Sequence, residues 1–175
     1  MRKIVVLLLF IISVLPVSLY AADSLKFGTV DLQRSLEESE TGKKAKSDLE
    51  SLRVSKQSLI DEKGRAIDKL KGDIEKQASV LSAEARKNKE EELEKMVREY
   101  QRIVQDSQAE LKKKEAELTN TTIREIIEIV EKIGAEEGYT IIIEKGTIPY
   151  SDKSIDITET VIKKYNESKT SQKKS

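Results

Sequence analysis

Carboxylates are the side chains of this sequence that most readily suggest chemistry. "KEEELEK" at residues 89 to 95 spaces several of them along one segment, and Asp156 stands three residues before Glu159. General acid–base work would need two such groups held in contrasting environments inside a cleft. Acids recurring along a long polar helix form a solvated face instead. The chain has no His and no Cys, and so no imidazole base, no thiolate nucleophile, no nitrogen or sulfur metal site and no disulfide. Gly64, Gly72, Gly134, Gly138 and Gly146 never fall into a phosphate-cradling pattern. The expectation is a protein that is not an enzyme, with no catalytic residues, no metal site and no cofactor.

Binding surfaces must then carry the function, and the elements that hold them are elongated. With 175 residues, 37% of them charged, 4% aromatic and only two Pro, the chain suits an extended helical protein better than one large core. Residues 1 to 21 read as a secretory signal peptide: Arg2 and Lys3, an apolar stretch from Ile4 to Leu15, Pro16, and cleavage after Ala21. Twelve apolar residues rise only ~18 Å as a helix, short of a ~30 Å hydrocarbon core. Removal would leave 30 basic and 32 acidic side chains. Residues 43 to 118 hold 19 basic and 17 acidic groups, 119 to 160 hold 4 and 9, and 161 to 175 hold 5 and 1. A near-neutral secreted chain does not suit nucleic acid.

"LKFGTV" at 25 to 30 reads as a short strand, followed by Asp31 as cap of a short helix bearing Leu32 and Leu36. Ser39 or Thr41 caps the next helix, and helix formers then run without Pro for some eighty residues. Steps of four and three from Leu49 reach Arg53, Lys56, Ile60, Lys63, Ile67, Leu70, Ile74, Gln77 and Leu81. The same walk from Leu93 gives Val97, Tyr100, Val104, Ser107, Leu111, Lys114 and Leu118. Between these seams the apolar spacing lapses, which places the tip of a helical hairpin at about residues 79 to 91; an unbroken rod is the alternative. Leu52, Leu59, Val80, Met96 and Ile103 lie beside the seams. They either widen the packing stripe or, with Tyr100, form an interrupted apolar surface that grips other chains. Gly64 and Gly72 are either tolerated surface positions or the source of a compliant arm.

From Thr119 the pattern turns strongly apolar, with Ile123, Ile126, Ile127, Val130 and Ile133 on one helical face and Gly138 as the C-terminal stop. Ile141, Ile142 and Ile143 read as a strand, and Thr147 to Tyr150 as a second one that includes Ile148. A last helix starts near Asp156 with Ile157, Val161, Ile162 and Tyr165, and residues 166 to 175 read as a basic flexible tail. Residues 22 to 42 and 119 to 165 thus make a small body carrying arms built from 43 to 118. Short strands with exposed edges favour an oligomer.

"ADSLKFGTVDLQRSLEESETGKKA" at 22 to 45 and "YTIIIEKGTIPYSDKSIDITETVIKKY" at 139 to 165 resemble the Skp/OmpH family of periplasmic chaperones. The resemblance spans nearly all of the mature chain. It implies an α+β, mostly α fold: a homotrimer whose strands close a small β-barrel body, with coiled-coil arms hanging around a cavity. Leu25, Phe27, Val30, Ile141, Ile142, Ile143 and Ile148 are the residues expected to form that body. The implied activity is ATP-independent holding of unfolded outer-membrane β-barrel proteins in the periplasm. Well-known members are strongly basic, whereas these arms carry +2 and only Lys112, Lys113 and Lys114 form a dense basic run. Electrostatic capture is therefore not expected to carry over, and a membrane-surface contact is left open. A structural coiled-coil envelope adaptor binding one folded partner is the alternative function.

Overall fold

The computed structural model describes residues 25–172. The signal peptide expected at residues 1 to 21 lies outside these residues. In chain order the elements are β1 (Phe27–Val30), α1 (Leu32–Glu38), α2 (Glu40–Gln77), α3 (Ala83–Glu137), β2 (Ile141–Glu144), two single 3₁₀ turns, Lys145–Thr147 and Lys153–Ile155, and α4 (Thr158–Gln172).

Local capping devices start and stop the helices. The Asp31 carboxylate accepts the Arg34 amide at 2.8 Å, the Ser39 hydroxyl accepts that of Gly42 at 3.1 Å, and the Ser82 hydroxyl accepts that of Ala85 at 3.2 Å. Ser39, rather than Thr41, is the cap that begins α2. At the far end of α3, Gly138 takes the left-handed conformation with φ 69°, which closes the helix. α2 and α3 lie against each other as an antiparallel hairpin, about 57 Å long for the 38 residues of α2. The connection is only Ala78–Ser82, much shorter than the expected tip of 79 to 91, because the Ser82 cap restarts the helix at once.

α3 does not stop where the arm ends. Its 55 residues run on into the body, where Ile126, Ile129 and Ile133 pack with Val30, Ile157, Val161 and Tyr165 in one small core. The buried stripe is Thr122, Ile126, Ile129 and Ile133, rotated from the one expected: Ile127 is left 40% exposed, and Ile129 takes its place inside. Leu32 and Leu36 of α1, together with Tyr139 and Ile142, close that core from the side.

β1 and β2 pair in parallel, Phe27 opposite Ile141 through Val30 opposite Glu144. The isoleucine-rich strand therefore packs against the first strand of its own chain. An isolated bridge from Asp156 to Thr29 covers part of the other edge of β1. Three expectations fail here. The second strand at 147–150 is absent: the chain makes a 3₁₀ turn at Lys145–Thr147, where the Thr147 hydroxyl donates to the Glu144 carbonyl at 2.7 Å, and Pro149 follows with no amide to donate. The first strand, expected from Leu25, begins at Phe27, so Leu25 lies before it and is exposed. The expected flexible tail is helical through Gln172, because Asn166 and Lys169 find partners on the arms' root.

Candidate functional site

Two surfaces remain uncovered, one along the hairpin and one on the body. Along the hairpin the seam is thin. Most apolar side chains between α2 and α3 are only half-buried, including Leu52, Met96, Tyr100 and Ile103, whereas Ile74 is buried. The column facing α3 passes through Leu52 and not through the exposed Arg53, which pairs with Glu50 on its own helix at 2.8 Å. Val54, Leu59 and Val80 project further, at 59%, 39% and 79% exposure. Of the apolar positions expected to lie beside the seam, Leu59 and Val80 are therefore exposed, while Leu52, Met96 and Ile103 are half-buried.

Polar seam positions turn out to be cross-arm contacts. Lys56 reaches Glu110 at 2.6 Å and Lys63 reaches Glu99 at 3.6 Å. Lys114, by contrast, is exposed. A Cβ on Gly64 would stand 3.7 Å from Tyr100 Cε2, so this glycine lies within the seam and faces the ring. Gly72 faces open space, and neither glycine interrupts α2. Toward the root, Leu36, Ala45, Leu49 and Leu118 floor a groove of about 490 Å³.

On the body, Val30 and Ile142 point into the chain's own core. The opposite face of the strand pair presents Phe27 at 48% and Ile141 at 45% exposure, with Ile143 half-buried beside them. Ile148 is half-buried in the following segment, and Tyr150 stands out into solvent. In β2 the backbone groups on the side away from β1 have no neighbouring strand among the described residues. Of the seven side chains expected to form the body, the strand pair's pleat turns Val30 and Ile142 inward and leaves Phe27, Ile141 and Ile143 on its uncovered face.

One polar cluster fixes this sheet to α4. The Asp156 carboxylate accepts the Lys145 ammonium at 2.7 Å, the Thr158 amide at 3.0 Å and the Thr158 hydroxyl at 2.5 Å. Desolvation alone would raise its pKa, but these hydrogen bonds outweigh it and hold the carboxyl down at about 2. The Thr158 hydroxyl also accepts the Asp31 amide at 3.0 Å, joining the end of β1 to the start of α4. This arrangement gives "DIT" a structural role. Nothing in it resembles a pair of carboxylates tuned apart for proton transfer.

A long antiparallel helical hairpin mounted on a small α/β body, with apolar surface left open on both, defines the class: a mostly α protein built on coiled-coil arms. The chain belongs to the OmpH-like outer membrane protein family, whose model matches residues 26–165. An uncharacterized protein of Aquifex aeolicus is 31% identical over 140 residues, covering 80% of this chain and 85% of that one. The fold is similar to the crystal structure of an OmpH-like outer membrane chaperone from Caulobacter crescentus, with a TM-score of 0.78 at 14% identity, over 82% of this chain and 85% of that one.

Proposed function

We propose that this protein is an ATP-independent periplasmic holdase that takes unfolded outer-membrane β-barrel proteins between its arms and keeps them from aggregating. Residues 43 to 118 form the arms. Residues 22 to 42 and 119 to 165 form the body, through which three subunits associate by the open side of β2 and the face bearing Phe27, Ile141 and Ile143. Residues 1 to 21 direct the chain across the inner membrane and are then removed. The observation that carries this reading is the apolar surface the hairpin leaves uncovered at Val54, Leu59 and Val80, in a chain of the OmpH-like family. Burial of about 200 Å² of client surface would contribute roughly 5 kcal/mol before ordering costs, enough to hold a chain without trapping it.

The test dilutes a urea-unfolded outer-membrane barrel into buffer with and without the protein and follows light scattering. Suppressed scattering at a stoichiometric excess is expected. Undiminished aggregation would overturn the chaperone reading.

A further inference from the structure

The family match ends at residue 165, but α4 continues to Gln172 and its last turns lie across the root of the hairpin. Asn166 Oδ1 accepts the backbone amide of Glu40, the first residue of α2, at 2.9 Å. Lys169 Nζ meets Glu125 Oε1 at 2.6 Å, and the other oxygen of that carboxylate accepts the Tyr165 hydroxyl at 2.6 Å. Thr170 completes a groove that also takes in Lys44, Leu118 and Thr121. The segment 166–172 thus touches α2 at its start and α3 on the body side of residues 119–122.

Those four residues are Thr119, Asn120, Thr121 and Thr122. They are the one run in α3 made wholly of poor helix formers, each up to about 0.7 kcal/mol less favourable than Ala. They fall where α3 passes from a thin two-helix seam into the core. The long helix is therefore intrinsically weakest at its mount, and the extension of α4 ties the start of α2 to α3 just beyond that point.

We infer that residues 166–172 form a clamp that restrains bending of the arms at a hinge in Thr119–Thr122, so that this chain sets its arm angle by a segment beyond the family match. The clamp concerns the mount of the hairpin and holds whether or not the arms take up clients.

The absence of Cys from the whole chain makes the test direct. Spin labels are attached to the full chain at Ser58→Cys on α2 and Lys163→Cys on α4, and labelled protein is diluted with unlabelled so that only distances within one chain are read. One narrow distance population is expected. Asn166→Ala with Lys169→Ala should add a second population, as should a chain ending at Tyr165. Glu167→Ala, on an exposed neighbouring position, should not. Stiffening the hinge with Asn120→Ala and Thr121→Ala in the double variant should restore the single population. If the shortened chain loses helicity beyond the residues removed, the double variant alone decides. A double variant with the parent distribution overturns the clamp, and failure of the stiffened hinge to restore it overturns the hinge.

Discussion

Gly42 shows how much one missing side chain decides. A Cβ there would lie 1.7 Å from the Leu36 carbonyl oxygen, so the elbow between α1 and α2 closes only over glycine. Gly42→Ala is expected to cost about 3 kcal/mol, the upper part of the range for overpacking. The urea midpoint should fall with an unchanged slope; a parental midpoint would mean that the elbow opens freely. Asp156 gives the pH dependence. Its carboxyl sits at about 2 in the folded chain against an ordinary 3.8, so the unfolded chain takes up the proton first. The stability it contributes is complete above about pH 4 and is lost as the pH falls to about 2. Asp156→Asn should flatten the urea midpoint across that window, though not wholly. Glu125 is also held below its usual range: burial would raise it, but the hydrogen bonds from Lys169 and Tyr165 prevail. An unchanged acid profile would remove Asp156 from the acid response. Asp156 was visible as the start of the last helix and Gly42 only as a neighbour of the Ser39 or Thr41 cap, but their partners were not. Those partners, the Leu36 carbonyl and Lys145, meet them only through the fold of the chain back on itself.

At the scale of elements, the helices were legible because apolar spacing and caps are local properties. Ser39, Ser82, Asp31 and Gly138 each act at or beside the place where the sequence suggested a boundary. Pairing across the arms was not legible, since it depends on where the hairpin turns. Once the connection is placed at Ala78–Ser82, the antiparallel register brings Lys63 to Glu99 and Lys56 to Glu110. Lys56 and Lys63 thereby help to set the register of the seam. A double-mutant cycle on Lys56→Ala and Glu110→Ala should give a coupling of about 0.5 kcal/mol that shrinks with added salt, as for a partly exposed pair. Zero coupling in low salt would leave the register to the apolar residues alone. Gly72 offers the complementary test. Open space around it means that Gly72→Ala should raise stability by about 1 kcal/mol, the helix-propensity difference. A loss of stability would show that α2 must bend there.

For the whole molecule, the proposed assembly and the proposed client surface make separable demands. The strand face bearing Phe27 and Ile141 is too small to fold anything alone, yet its apolar side chains stand on the same side as each other and beside the open edge of β2. In the proposed trimer a charge there would meet the partner subunits first. Ile141→Lys should therefore sediment as a monomer with unchanged helicity, and a persisting trimer would exclude this face from the interface. On the arms the discrimination rests on burial. Val54 and Leu59 project from α2, so Val54→Asp with Leu59→Asp removes apolar surface that a client could cover while leaving the seam intact. Met96 and Ile103 are half-buried, so Met96→Asp with Ile103→Asp should loosen the hairpin as well. Under the holdase reading the first pair loses protection of an unfolded barrel at a parental melting temperature. The second pair loses protection together with stability. If instead the exposed pair protects fully and only the half-buried pair fails, clients do not rest on the outer surface of α2. The apolar groove at the arm root, floored by Leu49 and Leu118, then becomes the place where they are held.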